Sequence, residues 1–354
     1  MQGSPDSTRN PERDGVFAKA LAGQATVHRP IWLMRQAGRY LPEYRQLRAR
    51  SSSFLEFCFD SVAATEATLQ PIRRFGFDAA IVFSDILVVP FALGQSVSFE
   101  SGEGPRLRAI TTGTELAQLA EEVDLERLAP VFETLQRVRG ALPSSTSLLG
   151  FCGAPWTVAS YMVAGRGIPD QAPARLLAYR DPALFATLID RLVEASIVYL
   201  DRQLAAGADA VQIFDSWAGV LPTSEFDRWC LEPIGRIVRG VKRLWQNARV
   251  IVFARVAGAN LLRLARTCGA DVIGLDTNVD QGWAASEIQR FVPVQGNLDP
   301  LALLAGGASL ELAIDHILGA FVGGPHIFNL GHGILPETPI ENVERLVKRV
   351  RYRE

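Results

Sequence analysis

The chain has 354 residues, 48% of them hydrophobic, and a net charge of −2. That length can build a large core, and a barrel of this size can be one domain. The near-neutral balance argues against a general nucleic-acid binder, whose domain is usually basic, and no apolar run approaches the ~20 residues that cross a bilayer. Four cysteines (Cys58, Cys152, Cys230, Cys268) stand far apart with no C-x-x-C pair. They are too few for a disulfide framework, which points to a reducing, cytoplasmic setting. Residues 1–14 are polar, hold two prolines and lack the apolar core of a signal peptide. They read as a mobile tail ahead of a single domain over 15–354.

In chain order, Phe17, Ala20 and Leu21 predict a short helix. Ile31 to Met34 is an apolar run that suits a buried strand. It stops at Arg35-Gln36-Ala37-Gly38-Arg39-Tyr40, and Pro42 can then open a helix, where its missing N–H costs nothing. Arg45 and Arg48 share a face of that helix. Four arginines and one acid, Glu43, stand between Ile31 and Arg48. Guanidiniums crowding a strand exit, beside a glycine that lets the backbone turn, favour an anion site, because arginine meets carboxylate or phosphate as a bidentate fork. The bland alternative is a loop of scattered, solvated charge.

Phe54 to Phe75 reads as helix interrupted by Pro71, and Ala79 to Phe83 as a second strand ending in Ser84-Asp85. Pro90 to Leu107, with scattered glycines and alternation at Val97 to Phe99, suggests an inserted hairpin or lid. Glu115 to Arg139 is helical by pattern. A third strand, Ser147 to Phe151, ends in Cys152-Gly153-Ala154-Pro155-Trp156, and helix follows over Leu176 to Leu204 with a break near Asp181-Pro182. The fourth strand is Ala210 to Phe214, ending in Asp215-Ser216-Trp217, before a helix at Glu225 to Trp245. The fifth is Val250 to Ala254, before a helix at Leu261 to Cys268 that Gly269 stops. Asp271 to Leu275, Val292 to Gln295 and His326 to Leu330 complete eight. Asp299 should cap a helix with Pro300 in its first turn, and Thr338-Pro339-x-Glu341 reads as a capping box.

Eight short apolar strands alternating with helices predict α/β architecture, most economically one closed (β/α)₈ TIM barrel. The notable polar residues follow strands one, two, three, four and eight, which in a barrel share one face. Asp85 could cap the next helix, or serve as a carboxylate that balances a cation or accepts N–H bonds. Asp215 and Asp276 occupy comparable exits. Tyr161 could be core packing. Ser216 lacks a neighbouring histidine and any nucleophile-elbow pattern, so it suits hydrogen bonding. His332 lies between Gly331 and Gly333, where the backbone can approach a ligand. The four histidines show no close pair at ligand spacing, and no phosphate-cradling or dinucleotide-binding glycine motif occurs. Metal is therefore not expected.

Together these segments resemble uroporphyrinogen decarboxylases, from about Gly15 to Val350. The most specific elements are RPIWLMRQAGRYLPEYR (Arg29 to Arg45) and GAPWTVASYMVAG (Gly153 to Gly165). FGFDAAIVFSDIL, IFDSWAG, VQGNLDP and FNLGHGILPETP support them in the family's order. The resemblance implies a (β/α)₈ barrel acting as a homodimer without cofactor or metal. It implies removal of four acetate carboxyls from uroporphyrinogen as CO₂, giving coproporphyrinogen in haem or chlorophyll synthesis. It implies substrate contacts at Arg35, Gln36, Ala37, Gly38, Arg39, Arg48, Asp85, Tyr161, Ser216 and His332, with Asp85 and Arg35 catalytic. Two departures, Thr277 where an aromatic is expected and the unusual run Phe253-Ala254-Arg255-Val256, touch none of these contacts but could alter a wall of the barrel mouth.

An arginine-lined cleft suits a substrate with eight carboxylates. A protonated pyrrole can take up the electrons released with CO₂, so no borrowed electron sink is needed. Three rivals compete. A methyltransferase on a related barrel would need zinc held by histidine and cysteine. A non-catalytic tetrapyrrole carrier could use the same arginines. A nucleic-acid module is opposed by the net charge.

Overall fold

A computed structural model describes residues 15–100 and 104–352, and the tail expected at 1–14 lies outside them. Within the described residues nine strands form: β1 (Ala79–Ile81), β2 (Val97–Glu100), β3 (Gly104–Leu107), β4 (Ser147–Gly153), β5 (Ala210–Asp215), β6 (Arg249–Ala254), β7 (Val272–Gly274), β8 (Val294–Gln295) and β9 (His326–Ile327). β2 and β3 pair as the antiparallel hairpin expected between Pro90 and Leu107. The other seven make one parallel sheet in the order β1-β4-β5-β6-β7-β8-β9. Every residue of β4 is buried, as parallel strands covered on both faces must be. The strand expected at Ile31 to Met34 is reduced to a single bridge, Ile31 to Phe328. It still reaches both edges of the sheet. The Phe328 N–H donates to the Pro30 carbonyl at 2.8 Å, and the Asp78 N–H to the Ile31 carbonyl at 2.9 Å.

A local device recurs three times where a helix returns to a strand. Gly76-Phe77-Asp78, Gly207-Ala208-Asp209 and Gly269-Ala270-Asp271 each begin with a left-handed glycine, at φ 65°, 107° and 79°, which ends the helix cheaply. Each aspartate then grips one residue of the neighbouring chain segment from both sides. The backbone N–H groups of Asp78, Asp209 and Asp271 donate to the carbonyls of Ile31, Leu148 and Val250. The N–H groups of those same residues donate to the aspartate carboxylates at 2.8, 2.7 and 2.9 Å. Arg351, Arg139 and Arg249 compensate the three charges. All three clamps lie at the amino ends of the strands, the stabilising end of such sheets.

β1 stops at Ile81, opposite Leu149, so β4 runs beyond its neighbour. The peptide groups of Phe151 on that side are satisfied by a side chain. The Phe151 N–H donates to Gln203 Oε1 at 2.8 Å, and Gln203 Nε2 donates to the Phe151 carbonyl at 2.9 Å. Gln203 is fully buried in the helix Pro182–Ala205.

Four expectations need correction. Pro71 sits inside the helix Ser61–Phe75, and the break comes at Asp60, whose carboxylate accepts the N–H groups of Val62 and Ala63. The helix expected over Glu115 to Arg139 is two, Gly113–Leu116 and Leu125–Ala141, capped by Thr112 and Asp124. The capping box at Thr338 does not form. Pro339 is extended at ψ 137°, so it is itself the cap residue of Ile340–Arg351, and the Thr338 hydroxyl is buried without a partner. Helices Gln281–Glu287 and Gly307–Ala320 have no predicted counterpart; the first is short and weakly apolar, and the second opens on Gly306-Gly307, a pair that reads as a stop.

Replacing Gln203 by leucine strands two buried peptide groups of Phe151, and we expect a loss of about 2–4 kcal/mol. Urea unfolding of the two proteins measures it; an unchanged midpoint would show that the amide does not carry this edge.

Candidate active site

The loop after Met34 is built around Gln36. Its fully buried side chain accepts from the Leu33 N–H at 3.1 Å and donates to the Ala79 carbonyl at 3.0 Å. Gln36 therefore shapes the loop with a fully engaged side chain. Arg35 is left-handed at φ 63°, an uncommon backbone for a residue with a Cβ. The N–H groups of Ala37, Gly38 and Arg39 have no acceptor among the described residues, and successive free N–H groups form a concavity for anions. Arg45 is occupied locally, donating to the Arg39 carbonyl at 2.7 Å. Glu43 is taken by Arg74 through a fork of 2.8 and 3.0 Å. Arg35 and Arg39 are exposed and form no ion pair among the described residues. Arg48 donates to the Ser51 carbonyl at 2.9 Å and lies over the Phe57 ring.

Asp85 follows β1 and is half-buried. One carboxylate oxygen accepts the Leu87 N–H at 2.8 Å; the other has no partner among the described residues. Burial pushes this carboxyl above its ordinary range, while the Leu87 bond and the charge of Arg35 pull it back. Tyr161 lies near the end of helix Pro155–Ala164, its ring 6.3 Å from that of Trp217. Burial raises its phenol, and the charges of Asp85 and Arg35 both reach it. Ser216 is half-buried in the turn after β5. Thr157 braces that turn, donating to Asp215 at 2.6 Å and accepting the Trp217 N–H at 3.1 Å. Asp215 is thus structural, its carboxyl pushed up to about 6 by burial.

His332 is half-buried after β9. Its flanking glycines admit protein rather than open space. A Cβ on Gly331 would overlap Thr277, and one on Gly333 would overlap the Arg35 side chain. The imidazole is pushed down to about 4, first by burial, then by the charges of Arg35 and Arg255. Arg35 is therefore the hub, acting on Asp85, Tyr161 and His332 together. The expected residues thus gather at the carboxyl ends of the strands, where the preceding segment supplies Arg35, β1 Asp85, β4 Tyr161, β5 Ser216 and β9 His332. Asp276, at another strand exit, is engaged in holding backbone: it accepts the Val256 N–H at 2.6 Å and the Asn278 N–H at 2.8 Å.

Sequence reasoning missed Arg255 as a site residue. The run Phe253-Ala254-Arg255-Val256 was notable only as unusual, and an arginine between apolar residues gave no sign of which strand exit it faces. Among the described residues no cluster of three or more histidine, cysteine or acidic side chains could hold a metal. Their four cysteines are all buried and free.

A family profile described as uroporphyrinogen decarboxylase (URO-D) matches residues 13–353. A uroporphyrinogen decarboxylase of Sphingopyxis alaskensis is 56% identical over 331 residues, covering 94% of this chain and 96% of that protein. One of Sinorhizobium fredii is 56% identical over 333 residues, with the same coverage. Among solved structures, a methyltransferase from Methanosarcina mazei superimposes with a TM-score of 0.75 at 19% identity, covering 94% of this chain and 96% of its own. A B12-independent methionine synthase from Shewanella follows with a TM-score of 0.53 at 10% identity, covering 82% of this chain and 87% of its own. These two likenesses concern the fold alone.

The depressed imidazole of His332 has a definite sign. The unfolded chain takes up this proton near 6.5 and the folded chain only near 4, so acidification between those values costs stability. NMR of ring-labelled histidine, assigned with His332→Asn, should show His332 neutral from pH 8 to about 5. A transition centred between pH 6 and 7 would contradict the site's electrostatics.

Proposed function

The chain belongs to the uroporphyrinogen decarboxylase family, and from that membership we propose how its strand-exit residues carry out the decarboxylation. The observation that carries the reading is Asp85: a half-buried carboxylate with one unoccupied oxygen, beside guanidiniums that have no acid of their own. Uroporphyrinogen brings eight carboxylates, and Arg35, Arg39 and Arg48 with the free N–H groups of residues 37–39 receive them.

Asp85 accepts the pyrrole N–H groups at the centre of the macrocycle. When a ring carbon is protonated the pyrrole becomes a cation, and the Asp85 carboxylate stabilises charge that grows only toward the transition state. The acetate C–C bond then breaks, and its electron pair flows into that ring as CO₂ leaves. Reprotonation of the side-chain carbon and loss of the ring proton give a methyl group. Each acetate thus exchanges CO₂ for one proton, with no external oxidant or reductant. Four rounds give coproporphyrinogen. Arg35 holds the reacting acetate and its developing charge; a guanidinium is a poor proton donor near neutral pH. Tyr161, Ser216 and His332 orient carboxylates by hydrogen bonding, with His332 neutral.

We propose further that the sheet closes as a (β/α)₈ barrel with the Ile31 segment as its eighth member. The Pro30–Phe328 bond on one side and the Asp78 clamp on the other support this. The Asp78 clamp repeats those joining β4 to β5 and β6 to β7. The family resemblance adds a homodimer in the cytoplasm working without metal or cofactor. No helix among the described residues is long and apolar enough to cross a membrane.

Asp85→Asn keeps the shape and removes the charge. We expect its kcat to fall on the order of 10²–10³-fold with KM within a few-fold. Near-normal kcat would withdraw Asp85 from the chemistry.

A further inference from the structure

Arg255 stands at the exit of β6, one residue past Ala254, and its own N–H continues the ladder by donating to the Asp215 carbonyl at 2.9 Å. This places it beside the Asp215-Ser216 turn. Its guanidinium is half-buried and forms no ion pair among the described residues. The nearby acid that could have paired with it, Asp276, is committed to backbone N–H groups through both oxygens.

The next residue fixes where Arg255 lies. Val256 is left-handed at φ 57° and 44% exposed. A β-branched residue there is a genuine outlier. Two contacts hold it: the bond from its N–H to Asp276, and Gly219, where a Cβ would overlap the Val256 backbone. The described residues include three left-handed non-glycines, Arg35, Gln171 and Val256. Arg35 is one of the three and Arg255 directly precedes another, and the charges of both arginines reach His332. Such strain persists where the surroundings over-determine it, as at binding sites.

We propose that Arg255 is a further substrate-binding residue, holding one of the carboxylates that the reaction leaves in place. This deepens the decarboxylase reading and rests on it. The charge of Arg35 reaches Asp85, Tyr161 and His332, whereas that of Arg255 meets it at His332. Arg255 thus serves the part of the macrocycle away from the reacting ring. Across four rounds the acetates disappear one by one. A contact that works in every round must grip a carboxylate still present at the end.

Steady-state kinetics on uroporphyrinogen, with coproporphyrinogen as competitive inhibitor, tests this. For Arg255→Gln we expect KM and the inhibition constant each to rise about tenfold or more. The kcat should stay within about threefold, and Arg255→Lys should recover part of the loss. Unchanged KM would overturn the proposal, as would a fall confined to kcat. A raised KM with an unaltered inhibition constant would overturn the assignment to a retained carboxylate. Thermal melts of both variants identify a folding defect, and in that case direct binding of coproporphyrinogen to Arg255→Lys decides. Wild-type protein run in parallel keeps the questions apart: no turnover there refutes the decarboxylase reading, whereas normal turnover with an indifferent Arg255 refutes only this inference.

Discussion

The structure depends on holding parallel strands side by side at one end so that their other ends can open together. Three aspartates do this. Each grips one residue of the adjacent segment by N–H and C=O at once, and each carries a compensating arginine. A pair of hydrogen bonds to a single residue fixes register, because a slip of one position would turn every side chain to the other face. With the amino ends fixed and neutralised, the carboxyl ends carry the strained and uncompensated groups.

The division of charge follows the same line. At the amino ends Arg139 meets Asp209, Arg249 meets Asp271, and Arg351 meets Asp78. At the carboxyl ends the acids are either drawn off, as Glu43 is by Arg74, or occupied with backbone, as Asp276 is. Asp215 and Asp85 each keep one oxygen without a partner among the described residues; Asp215 is fully buried, whereas Asp85 is half-buried. Arg35, Arg39 and Arg255 are thus left without ion pairs among the described residues at these exits, although the chain as a whole is nearly neutral. Under the proposed mechanism an anionic substrate supplies the missing charges and its own pyrroles the electron sink, so the residues have only to position and stabilise.

The positions of Asp85, Ser216 and His332 were legible because each follows a short apolar run, and such runs mark strands wherever they fall. The hairpin was legible from its alternation, and the break at Asp181-Pro182 from its capping chemistry. What stayed hidden depends on partners distant in sequence. The Gly-x-Asp clamps look like ordinary helix stops until the gripped residue is known, 47 to 61 positions away for the Asp78 and Asp209 clamps. Gln203 reads as one more polar residue on a long helix. The glycines around His332 suggested room for a ligand, but they accommodate Thr277 and Arg35. Thr338 carried a good capping pattern that lost to the extended backbone of Pro339.

Under the proposed mechanism the arginines and Asp85 at the strand exits remove carboxyl groups from uroporphyrinogen using only groups of the chain and the substrate. Anaerobic incubation of the purified protein with uroporphyrinogen III, without added cofactor, tests it most directly once the products are oxidised and separated by carboxyl number. Successive species with seven, six, five and four carboxyls are expected. Tight binding with all eight carboxyls retained would contradict this mechanism and would recast the chain as a tetrapyrrole carrier.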